Sequence, residues 1–198
     1  MTRFVVGIAG PPGAGKSTLA QAIRDWINAQ SGAHAAEVAP MDGFHLDNAT
    51  LRRLGKAATK GAADTFAVAE YVAALRRLRD DPAPTTWPAY DRTRHAPAAD
   101  AVTFDAETGI VITEGNYLLL DAPGWAEVRP LLDLAYYLDA DPADLADRLV
   151  RRHVAGGMEL AAARRKVAES DLRNARLVAA HRDRADEIIQ IQDLQSDS

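Results

Sequence analysis

Apolar positions fall along this chain in short runs and helical stripes that alternate. Phe4 to Ala9, FVVGIA, has the length and branched content of a buried strand, and Lys16 to Ala29 follows with a helical period. Leu19, Ile23, Trp26 and Ile27 recur on one side of that helix, so all four are expected to pack on a sheet, and Gln30-Ser31-Gly32 ends it. Ala35 to Met41 reads as a second strand. Val68, Val72, Leu75 and Leu78 form the apolar stripe of a helix that Asp81-Pro82 stops and that Asp64 or Thr65 is expected to cap. Ala101 to Asp105 is a short strand, and Gly109 to Thr113, GIVIT, is a near-continuous apolar strand of the buried parallel type. Trp125 to Leu132 predicts a short helix and Leu134 to Leu138 the next strand. Asp141-Pro142 opens another helix, with proline in its first turn. Glu159 to Ala180 is a long Ala- and Arg-rich helical stretch, and Glu187 to Ile191 a last strand. Leu46 to Thr59 reads as a loop or broken helix, Pro82 to Pro97 as a proline-punctuated loop, and the segment from Gln192 as a frayed tail.

Composition narrows the class. A chain of 198 residues with 47% hydrophobic content suits one domain, 1–198, or one domain with a small lid. Its net charge of -5 argues against a general nucleic-acid surface while leaving room for a local basic pocket. With Cys 0, disulfides, zinc-thiolate sites and thiol catalysis are excluded. The N-terminus enters the first strand directly, and no apolar run approaches the roughly 18 residues of a membrane span, so a cytoplasmic protein without membrane insertion is expected.

The break between the first strand and the first helix carries the chemistry. Gly10, Gly15, Lys16 and Ser17 satisfy G-x-x-x-x-G-K-[ST] in the strand-loop-helix context that the motif needs. Minimal side chains over Gly10, Pro11, Pro12, Gly13, Ala14 and Gly15 let backbone N–H groups turn around a phosphate at the positive end of the helix. Lys16 supplies a mobile charge for the outer phosphates, Ser17 a hydroxyl for Mg²⁺, and Thr18 completes the loop. Asp42 falls just past the second strand, where ligands of open α/β sheets collect. Glu114 ends the GIVIT strand, where such NTPases find a second magnesium contact. Arg148, Arg151 and Arg152 share one helix face ahead of a Gly156-Gly157 hinge, and read either as a solvated face or as a lid closing over a phosphoryl group. Arg52, Arg53 and Lys56 read as a solvated charge run. Tyr90, Arg92 and His95 crowd the loop that suits the polar wall of a small-molecule pocket.

GPPGAGKST, MDGFH, KGAADTF, YDRTRH, EGNYLL and RADEII together resemble the phosphoribulokinase/uridine kinase/pantothenate kinase group of P-loop kinases over almost the whole chain. Within it, MDGFHLDN and the KGA-x-x-TF segment are most similar to bacterial proteins of the nucleoside/nucleotide kinase family named for a fructose transport system kinase. The resemblance implies a three-layer α/β P-loop NTPase fold with a five-stranded parallel sheet in the order 2-3-1-4-5 and a small helical lid near 148–165. It implies ATP and Mg²⁺, a small hydroxyl-bearing metabolite as acceptor, and a homodimer as a compatible assembly. Asp42 takes the place of the general base, Glu114 that of the magnesium acid, and Arg148, Arg151 and Arg152 those of lid arginines. His45, Lys60, Tyr90, Arg92, His95 and Asn174 form the candidate acceptor set.

One position departs from the group: the Lys60 segment usually closes with Asp after its aromatic, and here Ala67 follows Phe66. Either Asp64 takes over a capping role, or an acceptor contact is missing. Two rivals share the phosphate loop. A GTPase switch is suggested by Asp121-Ala122-Pro123-Gly124 as D-x-x-G, but no N-K-x-D follows. The other is an ATP-binding regulatory or transport-associated NTPase that phosphorylates no acceptor.

Overall fold

A computed structural model describes residues 2–32, 34–91, 93–94 and 96–190. The expectations for Arg92, His95 and the tail fall outside the described residues. The elements are β1 (Phe4–Ala9), α1 (Lys16–Ser31), β2 (Ala36–Pro40), α2 (Asn48–Arg53), α3 (Val68–Asp80), β3 (Thr85–Asp91), β4 (Ala96–Phe104), β5 (Ile110–Gly115), β6 (Leu134–Asp139), α4 (Pro142–Ala155), α5 (Leu160–Lys166), α6 (Leu172–Ala179) and β7 (Glu187–Gln190).

Five strands make one parallel sheet in the order β2-β5-β1-β6-β7. Numbered among themselves, these are strands 2-3-1-4-5 of the core. The two-residue period of each strand divides its side chains between two apolar layers. Ile8, Val38 and Ile112 meet Ala20, Leu19, Ile23 and Ile27 of α1 on one face. Val5, Ala39, Val111, Ala135 and Tyr137 share the other with Tyr71, Val72, Leu75 and Leu78 of α3. Trp26 does not join the first layer: it lies about 100° round the helix from Ile27 and is 66% exposed.

Five other expectations are corrected. The stretch Pro82 to Pro97 is not a loop, and the strand at Ala101 to Asp105 begins earlier, because β3 and β4 pair as an antiparallel hairpin. The prolines concealed it: Pro88 sits where the register shifts between Trp87 and Ala89, so its missing N–H interrupts no ladder. Neither Asp64 nor Thr65 caps α3, whose N-cap is Ala67 with no side-chain bond. Asp64 instead pairs with Lys56 at 2.8 Å, and the Thr65 hydroxyl donates to the Ala62 carbonyl at 2.7 Å. The Glu159 to Ala180 stretch is interrupted by a π turn over Val167–Asp171, and Trp125 to Leu132 forms two 3₁₀ turns. Among the described residues no helix is long and apolar enough to cross a membrane.

Arg3 closes the end of the sheet remote from the phosphate loop. Only 2% exposed, its guanidinium donates to the carbonyls of Thr108, Leu78, Asp81, Pro82, Ala83 and Asp105. It thereby gathers the C-terminus of α3, the start of the hairpin and the turn before β5. Arg3→Met should strand these acceptors and cost about 3 kcal/mol or more, since hydrogen bonds to a charged donor contribute about 1.5–3 kcal/mol each. The measurement is the urea midpoint at unchanged slope; an unmoved midpoint would show that water replaces the guanidinium.

Candidate active site

Parallel register sets three strand ends side by side, with Ala9 opposite Gly115 and Pro40 opposite Glu114. The residues that leave those ends build one site. At Gly10 the backbone passes so close to β6 that a Cβ would lie 2.6 Å from the Leu138 carbonyl oxygen, at a φ of +153°. Only glycine fits. No side chain caps α1, so the N–H groups of its first turn stand open to an anion, at the positive end of the helix dipole.

Lys16 is buried, and its Nζ donates to the Pro11 carbonyl at 2.9 Å and to Asn116 Oδ1 at 2.8 Å. Burial pushes the ammonium down to about 8, opposed by the nearby charges of Glu114 and Asp42 and assisted by Arg152. Ser17 Oγ donates to Glu114 Oε1 at 2.9 Å. This hydroxyl and carboxylate, adjacent at the start of α1 and the end of β5, are the hard oxygen donors that Mg²⁺ takes beside phosphates. The open N–H groups, the buried ammonium and this oxygen pair fit a magnesium nucleotide.

Asp42 sits on a 3₁₀ turn, Met41–Phe44, directly after β2. The turn is wedged in place: a Cβ on Gly43 would overlap the Pro88 carbonyl of the hairpin, and Phe44 meets Tyr71 and Trp87 edge to face. The Trp87 indole donates to the Pro40 carbonyl at 3.0 Å, tying β3 to the same strand end. His45 Nδ1 lies 2.8 Å from the Asp42 carbonyl oxygen, so Nδ1 carries the proton and donates. The ring lies 3.9 Å from the Asp42 carboxylate. Its faces meet Phe66 and Tyr90, with ring centres 4.0 Å and 4.9 Å away. Lys60 Nζ lies 5.1 Å from the Tyr90 ring centre and donates to Asn48 Oδ1 at 2.7 Å. Three members of the expected acceptor set, His45, Lys60 and Tyr90, are thus brought together beside Asp42.

The loop that carries Lys60 is held from beneath. The Tyr117 phenol donates to the Gly61 carbonyl at 2.6 Å, and the Trp125 indole to the Ala63 carbonyl at 3.1 Å. Burial raises the Tyr117 hydroxyl well above its ordinary value, and the charges of Asp171, Asp42 and Asp64 add to the rise. Of the arginines expected in a lid, Arg152 is the one whose charge reaches Lys16. Among the described residues Arg148, Arg151 and Asn174 form no hydrogen bond or ion pair with the Lys16, Asp42 and Glu114 group; Asn174 is buried on α6. Asp121 of the D-x-x-G match pairs with Arg184 at 3.6 Å, as a surface ion pair. Asn116 and Tyr117 are the contacts that sequence reasoning passed over. The available signal was their place at the end of the GIVIT strand, one and two residues beyond Gly115.

A model of the phosphoribulokinase/uridine kinase family matches residues 5–196 of this chain. The chain belongs to that family. It is similar to the protein YggC of Escherichia coli (strain K12), with 35% identity over 96% of this chain and 78% of that one. It is also similar to the pantothenate kinase of Leifsonia xyli subsp. xyli (strain CTCB07), with 29% identity over 73% of this chain and 46% of that enzyme. Among solved structures, a "putative fructose transport system kinase" from Silicibacter sp. TM1040 superposes with a TM-score of 0.88 at 39% identity, over 95% of this chain and 90% of that one. Family membership makes this a P-loop kinase fold, with ATP and Mg²⁺ implied.

The environment of His45 has a consequence for stability. Burial lowers its imidazole below the ordinary value, more than Asp42 raises it, and Lys60 opposes protonation as well. The folded chain therefore keeps His45 neutral while the unfolded chain binds a proton near 6.5. Where the unfolded state holds more protons, stability rises with pH, so this contribution is present above about 6.5 and drains as pH falls below it. His45→Gln should lose less of its urea midpoint than the parent between pH 7 and about 5.5; equal losses would rule the linkage out.

Proposed function

We propose that this family member is an ATP-dependent kinase that transfers the γ-phosphoryl group to a hydroxyl of a small metabolite, such as a sugar, nucleoside or pantothenate-like alcohol. The observation that carries the reading is the joint approach of two carboxylates to one ammonium: Lys16 senses both Glu114 and Asp42, which stand at neighbouring strand ends. A binding loop alone has no need of the second. Glu114 has Ser17 as its partner at 2.9 Å, whereas Asp42 lies among His45, Tyr90 and Lys60, on the side open to an acceptor.

In this reading residues 10–18 seat the phosphates of ATP, and Ser17 and Glu114 hold the metal, which when bound supplies charge for the β- and γ-phosphoryl oxygens. Asp42 orients the acceptor hydroxyl and takes its proton as the oxygen–phosphorus bond forms and the bond to the ADP oxygen breaks. Lys16 and Arg152 offset charge on the transferring group from two sides. His45, Lys60, Tyr90 and Asn174 contact the acceptor. The whole chain acts as one kinase domain, with α4 and α5 as its lid. Support for a small hydroxyl compound comes from the names of the Leifsonia and Silicibacter relatives, whose acceptor class is taken over here as part of the proposal.

Positioned proton transfer contributes about 10²–10⁴-fold, so Asp42→Asn should lower acceptor-stimulated ADP release by about that range with nucleotide affinity nearly unchanged. The assay is ADP release with a panel of sugars, nucleosides and pantothenate-like alcohols. Full turnover in the variant would remove Asp42 from the role, and slow hydrolysis indifferent to every acceptor would favour a regulatory NTPase instead. Lys16→Ala should weaken nucleotide binding and transfer together, and normal kinetics there would undo the reading of the phosphate loop.

A further inference from the structure

We infer that His153 and Asp171 form a clasp whose task is to hold Arg152 in position over the phosphate site from the lid side. Arg152 is an exposed residue in the last turn of α4, and a long exposed side chain loses much rotamer freedom when it is made to point in one direction. The next residue, His153, is anchored: its Nε2 lies 2.6 Å from Asp171 Oδ2, with the two side chains only 15% and 10% exposed. Lys166 Nζ approaches the other carboxylate oxygen at 3.4 Å. One buried carboxylate therefore ties α4 to α5 at the position adjacent to the arginine.

The backbone makes that tie rigid. The Gly156 N–H donates to the Arg152 carbonyl at 3.0 Å and the Met158 N–H to the His153 carbonyl at 3.0 Å. Residues 152 and 153 thus move with the turn that leads into α5, whose own start is capped by Glu159. Asp171 closes the π turn Val167–Asp171, an irregularity found frequently at functional sites. Burying a carboxylate to make such a pair yields little net stability, which leaves placement as the gain. The charge of Arg152 is felt at Lys16 and that of Asp171 at Tyr117.

The inference rests on the proposed contact of Arg152 with the outer phosphate, and its test separates the two. The readout is the preference for a nonhydrolysable ATP analogue over ADP, each with Mg²⁺, measured as the ratio of their dissociation constants by calorimetry. Arg152→Ala should reduce that preference by about tenfold, the scale of one charge-assisted contact. Asp171→Ala should reduce it to a similar extent, and the double variant should be no worse than either single one, because both remove the same contact. Asp171→Asn, which keeps an acceptor for the ring, should recover part of the loss. A merely structural role would weaken both nucleotides equally and leave the ratio alone. If Arg152→Ala lowers the ratio while Asp171→Ala leaves it unchanged, or if the two losses add in full, the clasp is wrong and the phosphate contact stands. If Arg152→Ala itself leaves the ratio unchanged, the phosphate contact fails and the clasp with it. Should Asp171→Ala fail to fold, His153→Gln takes its place with the same expected outcomes.

Discussion

A buried ammonium is the constraint that shapes this molecule. Lys16 has to stay charged to meet phosphates, yet it lies where burial pushes its proton off toward a value of about 8. An unpaired charge at that depth is costly. The chain offsets the cost from three directions: the Pro11 carbonyl of its own loop, the Asn116 amide oxygen beyond β5, and the charges of Glu114 and Asp42 at the ends of β5 and β2. The last two of these reach Lys16 only because β1 lies beside β5 and β5 beside β2 in the observed register. The sheet order and the charge state of one lysine are therefore one fact seen at two scales.

The acceptor side follows a different logic, because it is assembled from loops. Two segments are stitched backbone to backbone, Leu46 N–H to the Thr65 carbonyl at 3.0 Å and Ala67 N–H to the Phe44 carbonyl at 2.9 Å, while the side chains of Tyr117 and Trp125 hold Gly61 and Ala63. Ala67 illustrates the consequence. The backbone of Ala67 holds the tie to Phe44 and no side chain caps α3. The scaffold here therefore depends on the main chain and not on the side chain at position 67.

Legibility in the sequence divided along the same line. The donor half could be read because it obeys short-range rules: a glycine spacing, an apolar strand before it, a helix after it, and acids directly after apolar strands. Asp42 and Glu114 were found by that rule. The hairpin was hidden because Pro84, Pro88 and Pro97 read as loop punctuation, although a bulge at Pro88 removes the conflict between proline and the ladder. Trp26 was misplaced because a spacing of three from Ile23 is satisfied on either flank of the stripe, and Leu19, Ile23 and Ile27 take the sheet-facing side while Trp26 stays exposed. Asn116 lay inside EGNYLL but was given no role. Its contact with Lys16 arises from the parallel pairing of β1 and β5, a long-range pairing that no local window contains.

Net charge sharpens the view of how such a protein gathers an anionic nucleotide. At -5 the chain as a whole repels one, but screening at physiological ionic strength confines that repulsion to about 8 Å. Within that range of the phosphate loop the balance is local. The open N–H groups of α1 need no counter-ion, Lys16 supplies a cation, and the charge of Arg152 also reaches Lys16. Asp42 and Glu114 would repel the same phosphates if they faced them alone, yet the charges of both act on the Lys16 ammonium. Affinity must then come from short-range seating rather than from long-range steering, which is the regime in which positioning of a single arginine can govern the discrimination between ATP and ADP.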